Sequence, residues 1–155
     1  GVFSADYLER IVLLLKSRSA ENAMAVLSHD GLDELSTTSK NQICHLKNGK
    51  IIIRILNPAD FGLTRGSLGD IQISSKDEAI KSFISVLRGT ANKSMIEVTA
   101  LNAAAGLIIS GIADDFHDAI PIALDSIKSG KAYDAFRNFI RFCGNIEKVE
   151  EFEKS

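Results

Sequence analysis

Two adjacent carboxylates, Asp33 and Glu34, are the side chains of this sequence best suited to chemistry. They follow a glycine, Gly31, and the apolar residues 23–27, which have the composition of a buried strand. Ligands of open α/β sheets bind where parallel strands end. Adjacent carboxylates on a loop there suit a hard cation such as Mg²⁺, which proteins hold together with substrate phosphates. The residue types alone leave a second interpretation open, namely a solvated surface loop.

Other polar side chains near this loop are weaker candidates for a binding role. Lys40 would supply positive charge beside the carboxylates, and Arg65, on a glycine-rich segment, is the basic residue most worth testing. The hydroxyls of residues 36–39 suit a phosphate site, although hydroxyl-rich turns usually satisfy local backbone groups. We interpret His29 as a solvated loop histidine. Asn102 fits a buried, hydrogen-bonded packing residue better than a ligand.

Length and composition fit one globular domain and argue against several classes of function. A chain of 155 residues, of which 45% are hydrophobic, is long enough to bury a core. The net charge of −2 gives no basic surface for nucleic acid. No apolar run approaches the roughly 20 residues that a membrane span needs. We therefore expect neither nucleic acid nor membrane as a partner.

The cysteines indicate the redox environment of the protein, and the first residue bears on how the chain was produced. Cys44 and Cys143 are far apart and have no metal-ligand spacing around them. Reduced thiols in a cytoplasmic protein are the simplest interpretation. The chain opens on Gly1 rather than Met and shows no secretory signal. This start suggests a processed or trimmed piece of a longer protein, or a glycine left by tag removal.

The first third of the chain is predicted to form a helix, an isolated buried strand and a β-hairpin. Ser4 is placed to cap the helix. Asn48 and Gly49 give a strong hairpin signal, because both tolerate positive φ. Pro58 ends the last strand, since it cannot donate to a sheet. The predicted ranges are Ala5–Ser17 for the helix, Asn22–Ser28 for the strand, and residues 42–46 and Lys50–Leu56 for the hairpin.

Residues 57–73 carry three glycines and are predicted to form an irregular loop that ends in an extended piece at residues 70–73. A helix that ends at Gly89 follows it, and Ser75 with Glu78 has the pattern of a capping box. The predicted order of elements is thus a helix, a strand and a hairpin, followed by four helices.

Two further helices are predicted next, of which the first is expected to be central. Small residues at 100–106 let the first of them approach its neighbours closely, so we expect it to be well buried. In the second, Pro121 is tolerated without distortion only in the first turn of a helix, so it favours Asp118 as the N-cap residue. The candidate caps are Asn92 or Ser94 for the first helix, and Asp114, Asp115 or Asp118 for the second.

The last predicted helix covers Lys131–Cys143, and the charged tail at residues 147–155 is expected to fray. The predicted helices carry more apolar surface than three strands can cover. Part of the sheet is therefore expected to be missing from this chain or supplied by another. Exposed sheet edges and helix faces of this kind favour association, including a homo-oligomer.

Four blocks of residues resemble anthranilate phosphoribosyltransferases in order and spacing. They are HDGLDELS at residues 29–36, DFGL at 60–63, LNAAAGL at 101–107 and SGKA at 129–132. The resemblance covers residues 1–144 and corresponds to the C-terminal part of that family's sequence. It implies an α/β fold: residues 1–146 would form the C-terminal portion of a mostly parallel sheet flanked by helices, with a β-hairpin and a helical C-terminal half. Residues 147–155 would be a charged tail.

The resemblance also implies a reaction. Members of the family are transferases of tryptophan biosynthesis that move the phosphoribosyl group of phosphoribosyl pyrophosphate to anthranilate, with Mg²⁺ accompanying the pyrophosphate. The family's Asp-Glu metal motif falls on Asp33 and Glu34. A divalent ion there would neutralise charge on the leaving pyrophosphate.

Several parts of the family pattern are absent from this sequence. They are the Gly-Thr-Gly-Gly-Asp phosphate loop, an Asn-His-Gly motif and an arginine for the anthranilate carboxylate. We therefore assign no contact to either substrate and no catalytic residue, and we expect the chain to be inactive without the missing N-terminal half. Two alternatives remain: a non-catalytic binding or assembly module of the same fold, and a relative of pyrimidine nucleoside phosphorylases.

Overall fold

The computed structural model describes residues 1–154, and the side chains of residues 1–153. These residues form three strands, seven α-helices and one 3₁₀ helix. The strands are β1 (Asn22–Ser28), β2 (Asn41–Lys47) and β3 (Lys50–Leu56), and the 3₁₀ helix is Pro58–Phe61. The α-helices are α1 (Ala5–Ser17), α2 (Leu68–Ile71), α3 (Lys76–Leu87), α4 (Lys93–Ile109), α5 (Phe116–Lys128), α6 (Lys131–Cys143) and α7 (Ile146–Lys154).

The three strands form one sheet in the order β1-β2-β3. The predicted hairpin is confirmed, with Lys47 opposite Lys50 and positive φ at Asn48 and Gly49. The α/β fold class is confirmed, but the mostly parallel sheet is not. Both strand pairings within residues 1–154 are antiparallel. The reason is local: a loop rather than a crossover helix joins β1 to β2.

Helices cover both faces of this sheet. Along β2 the side chains alternate between the faces, as the period of a strand requires. Ile43 belongs to the core shared with α4 and α5, whereas Cys44 and Leu46 belong to the core shared with α1. The expectation that α4 is central is also confirmed, because Ala100, Leu101 and Ala104 are fully buried.

The outer edge of β1 carries no strand partner among the described residues. The amide of Val2 donates to the carbonyl of Val26 at 3.0 Å, so that carbonyl faces away from β2. Large apolar side chains on α1 and β3 are about half exposed, among them Leu14 at 54% and Ile55 at 54%. This surface agrees with the expectation that more protein covers the sheet and α1.

One helix start differs from the sequence prediction, and another has its predicted cap but not the reciprocal hydrogen bond of a capping box. Asp115, not Asp118, caps α5, because its carboxylate accepts hydrogen bonds from the amides of His117 at 2.8 Å and Asp118 at 3.1 Å. Pro121 consequently lies inside the helix. At α3, Ser75 Oγ accepts from the Glu78 amide at 3.1 Å. The Glu78 carboxylate accepts from Ser74 instead of closing the predicted box.

Two segments predicted to be irregular are helical. The extended piece expected at residues 70–73 is wrong, since α2 occupies Leu68–Ile71. The tail at residues 147–155, which is expected to fray, is helical up to Lys154 as part of α7, and residue 155 lies outside the described residues. α7 is paired to α6 through Arg137, which contacts Glu150 and Glu153, each at 2.9 Å. Across residues 1–154, no helix has both the length and the apolar character that a membrane crossing requires.

Candidate functional site

Asp33 and Glu34 lie in the loop that joins β1 to β2, residues 29–40, which we call the carboxylate loop. Both side chains are exposed. Neither carboxylate takes part in a hydrogen bond or an ion pair with another described residue. The two groups are therefore available to a ligand.

Asp30 closes the first half of the carboxylate loop. Its carboxylate accepts hydrogen bonds from Ser36 Oγ at 2.7 Å, from Thr38 Oγ1, and from the Leu32 amide at 3.3 Å. Burial by itself raises the pKa of Asp30, but hydrogen bonds, those from the Thr38 and Ser36 hydroxyls above all, outweigh it and hold the pKa below its usual value. The charged carboxylate is thus a structural clamp.

Two asparagines fix the second half of the loop. Asn102 on α4 accepts from the Leu35 amide at 3.0 Å and donates to the Leu35 carbonyl at 2.7 Å. Asn41 at the start of β2 makes the same pair of bonds to Ser36, at 2.7 and 2.9 Å. The prediction of Asn102 as a hydrogen-bonded packing residue agrees with these contacts. Glu34 therefore precedes a backbone segment that is bonded to α4 and β2.

The carboxylate pair fits a magnesium ion only with help from other ligands. Mg²⁺ is usually bound by one or two carboxylates, with water and substrate phosphates completing its coordination. Asp33 and Glu34 supply two such groups with free oxygens. Within residues 1–153, no cluster of three or more His, Cys, Asp or Glu side chains is arranged to hold a metal.

A groove of about 480 Å³ lies beside this loop and unites candidates that were separate in the sequence. Lys40 and Arg65 meet there, and the hydroxyl residues 37–39, His29 and residues 57–59 complete its lining. We call it the Lys40–Arg65 groove. None of the residues that line it is acidic, and Asp33 and Glu34 are not among them. The structure therefore separates a cationic groove from the carboxylate pair.

Helix α4 also positions the segment that carries Arg65. The buried carboxylate of Glu97 accepts from the Thr64 amide at 2.8 Å and lies 3.6 Å from Lys93 Nζ. Arg65 Nε donates to the Thr38 carbonyl at 3.3 Å and so ties this segment to the carboxylate loop. Helix α4 thus holds the carboxylate loop through Asn102 and the segment that carries Arg65 through Glu97.

A second pocket, of about 280 Å³, lies between the sheet and the start of α5 and contains His45. Asn22 donates through Nδ2 to the Ile109 carbonyl at 2.9 Å, so its Oδ1 must accept from His45 Nε2 at 2.8 Å. Burial, followed by the positive charges of Arg54 and Lys47, lowers the pKa of His45. His45 is therefore a neutral residue that ties β2 to α4 through Asn22.

Sequence reasoning missed Asp30, Asn41 and Glu97 as positioning residues. Asp30 had a usable signal, because an aspartate two residues before Leu32 suits a turn in which its side chain accepts that amide. Glu97 had none, since its partner amide is 33 residues away in sequence.

Comparisons with known proteins give a consistent picture. A family model described as "Glycosyl transferase family, a/b domain" matches residues 1–133. An anthranilate phosphoribosyltransferase of Nitrosopumilus maritimus (strain SCM1) is 48% identical over 151 residues, which are 97% of this chain but 43% of that protein. The chain thus spans less than half the length of this curated relative.

Solved structures agree with the sequence comparisons. The crystal structure of anthranilate phosphoribosyltransferase from Thermus thermophilus superposes with a TM-score of 0.83 at 25% identity, covering 92% of this chain and 41% of that one. A variant of the Saccharomyces cerevisiae enzyme with Mg bound gives a TM-score of 0.78 at 25% identity, over 91% of this chain and 41% of that one.

Proposed function

The chain belongs to the glycosyl transferase family, matching the model of its α/β domain over residues 1–133, and from this we propose that it acts as the C-terminal part of an anthranilate phosphoribosyltransferase. In the complete protein the reaction would move the phosphoribosyl group of phosphoribosyl pyrophosphate to the amine of anthranilate, a step of tryptophan biosynthesis. The similarity to a named anthranilate phosphoribosyltransferase over 97% of the chain supports this assignment.

The observation that carries the proposal is the state of Asp33 and Glu34. Both carboxylates are exposed and unbonded among the described residues, while the backbone on either side is held by Asp30 and Asn102. Free carboxylates on a fixed backbone suit a metal site, because little backbone conformational entropy remains to be lost on binding. We assign Asp33 and Glu34 as the magnesium ligands that this chain contributes. When bound, Mg²⁺ would neutralise charge on the departing pyrophosphate.

The chain is proposed to be inactive alone. Two carboxylates without a phosphate-binding loop would repel pyrophosphate at close range. The glycines of residues 62–69 do not reproduce the Gly-Thr-Gly-Gly-Asp loop, whose backbone amides would offset this repulsion. The remainder of the protein, which the curated relative has in addition, is proposed to provide the substrate contacts.

The test is reconstitution. The chain would be mixed with the N-terminal portion of the Nitrosopumilus maritimus relative, which is 48% identical over the matching part. Release of pyrophosphate would be followed with anthranilate, phosphoribosyl pyrophosphate and Mg²⁺. We expect no turnover by the chain alone and turnover by the mixture. Asp33→Asn and Glu34→Gln should each lower that turnover by about 100-fold or more, because the metal loses half of its protein ligands.

Matched controls exist on the helical side of the molecule. Asp134 and Glu151 are exposed and make no ion pair with the described residues. Asp134→Asn and Glu151→Gln should leave turnover unchanged. Appreciable activity of the chain alone would refute the proposed division of labour, and full activity of the Asp33→Asn mixture would refute the metal assignment.

A second candidate function is a non-catalytic assembly module of the same fold. The half-exposed apolar side chains of α1 and β3 favour it, because such surfaces bind other polypeptides. It predicts that the mixture forms a stable complex by gel filtration but has no turnover. Turnover by the complex would support the transferase function over the assembly module.

A further inference from the structure

We propose that the Lys40–Arg65 groove binds a phosphate group at a site separate from the carboxylate pair. The groove combines two cations with the hydroxyl residues 37–39, and no acidic side chain lines it. It contains neither Asp33 nor Glu34. The proposal therefore needs no metal ion and stands whether or not the proposed transferase function is correct.

Both cations of the groove are free to meet an anion. Within residues 1–153, neither Lys40 nor Arg65 forms an ion pair. Arg65 donates through Nε to the Thr38 carbonyl at 3.3 Å, and its terminal nitrogens donate to no other described residue. That bond holds the guanidinium in place and leaves the remaining nitrogens for a ligand. A fixed guanidinium matches the oxygens of a phosphate group in geometry and charge.

A buried hydroxyl gives independent support. Thr37 lines the groove, is only 2% exposed, and its Oγ1 has no hydrogen-bond partner among the described residues. Buried polar atoms nearly always have a partner, so one without a protein partner points to a ligand or water as its partner. Thr37 Oγ1 is itself almost fully covered, so a phosphate oxygen would accept its hydrogen after a small shift of the surrounding loop. The neighbouring hydroxyl of Thr38 is already engaged by Asp30.

Charge and volume define the class of ligand. Lys40 and Arg65 together carry two positive charges, which balance the two negative charges of a phosphomonoester or of inorganic phosphate near neutral pH. A carboxylate would neutralise only one of them. The volume of about 480 Å³ is many times the roughly 30 Å³ of one water molecule, so the groove has space for a group attached to the phosphate.

The experiment is a calorimetric titration of the chain with inorganic phosphate, and separately with methyl phosphate, at low salt and with EDTA present. We expect saturable binding with a stoichiometry of one. Arg65→Gln and Lys40→Gln should each weaken it at least about tenfold, the loss expected for one charge-assisted hydrogen bond. Tighter binding of methyl phosphate would indicate a phosphomonoester ligand, and tighter binding of inorganic phosphate the free anion.

Two controls keep the result specific. Lys81→Gln removes an equivalent exposed charge on α3 and should not change the affinity. Asp33→Asn should not weaken binding either, since the groove does not use that carboxylate, whereas it should lower the metal-dependent turnover proposed above. Thermal melts followed by circular dichroism would confirm that each variant folds, which is expected because all of these side chains are exposed.

Three outcomes would overturn the proposal. The first is the absence of saturable binding up to about 10 mM phosphate, where the free energy of binding is too small to reflect a built site. The second is an equal loss of affinity in Lys81→Gln, which would show that net charge alone attracts the anion. The third is a loss of phosphate binding by the Asp33→Asn variant when EDTA is present.

Discussion

The carboxylate loop and the helix pair α6–α7 are held in place by opposite means. In the loop, Leu35 and Ser36 are 0% exposed, and asparagine side chains such as Asn102 bond to their backbone groups. Helix α6 has no buried residue, and its Phe142 is 92% exposed. Charged side chains around Arg137 connect α6 to α7.

This difference shows where the molecule needs a fixed geometry. A buried hydrogen bond is costly to break, because the group left behind has no water to replace its partner. An ion pair near the surface is cheap to break, because water and salt replace it. The carboxylate loop, which carries the candidate metal ligands, is held by buried hydrogen bonds. Helices α6 and α7, to which we assign no chemistry, are joined by ion pairs.

The largest expected effect is on the loop side. Asn102→Ala removes both hydrogen bonds to Leu35 and a third, at 2.9 Å, to the Val98 carbonyl. The backbone amide and carbonyl of the buried Leu35 would then lack partners. We expect the free energy of unfolding to fall by about 2–4 kcal/mol, measured by urea denaturation.

The matched control for this change lies on α6. Asn138 is exposed, and its side chain accepts one hydrogen bond from Arg141 at 3.0 Å. Asn138→Ala should lower the free energy of unfolding by less than about 0.5 kcal/mol. Equal losses in the two variants would remove the distinction between the regions.

The second effect concerns the charge of Asp30. Its pKa is lower in the folded protein than in the unfolded chain, so the ionised carboxylate stabilises the fold. This stability is fully present above the ordinary pKa of an aspartate and is lost as the pH falls through the lower folded value. Asp30→Asn should therefore lower the free energy of unfolding at pH 7 by about 1–2 kcal/mol, through weaker hydrogen bonds to Ser36 and Thr38.

The pH dependence separates Asp30 from other carboxylates. Asp70 and Glu78 also have pKa values below the ordinary ones, because of hydrogen bonds from Ser67 and Ser74, and they will contribute to acid destabilisation in both proteins. The informative quantity is the difference between the unmodified chain and Asp30→Asn. That difference should shrink between pH 7 and pH 3, and a constant difference would show that the clamp does not depend on ionisation.

The same two regions show what the sequence can and cannot reveal. Helix α6 was predicted as Lys131–Cys143, the range that the structure has, because its pattern of apolar residues is local. Phe139, one of these apolar residues, is nevertheless 63% exposed. Periodicity predicts which face of a helix is apolar, but not whether a neighbour covers it.

The carboxylate loop presents the reverse case. Its candidate ligands Asp33 and Glu34 were visible in the sequence as a pair of adjacent residue types. The contacts that hold them were not, since Asn102 bonds to Leu35 across 67 residues. Lys40 and Arg65 line the same groove although 25 residues separate them in sequence, and Glu97 on α4 accepts from the Thr64 amide beside Arg65. Such convergence depends on tertiary structure, which a linear pattern does not encode.

The smallest expected effect on global stability is at Arg137. Its terminal nitrogens donate to Glu150 and to both oxygens of Glu153, so Arg137→Gln would remove the charged contacts that join α6 to α7. We expect the free energy of unfolding to fall by about 1 kcal/mol or less, because Glu150 is 43% exposed and Glu153 keeps Arg88 as a partner at 3.4 Å. The change should instead be local, since few buried apolar contacts oppose the opening of α7.

Hydrogen exchange would measure this local opening. In Arg137→Gln the amides of α7 should exchange faster, while those of α4 keep their protection. High salt should accelerate α7 exchange in the unmodified chain as well, since ions screen the pairs between Arg137 and its two glutamates. If α4 lost protection together with α7, the C-terminal helices would be part of the same cooperative unit as the carboxylate loop. The two regions would then differ only in chemistry, and the contrast in how they are held would have no consequence for stability.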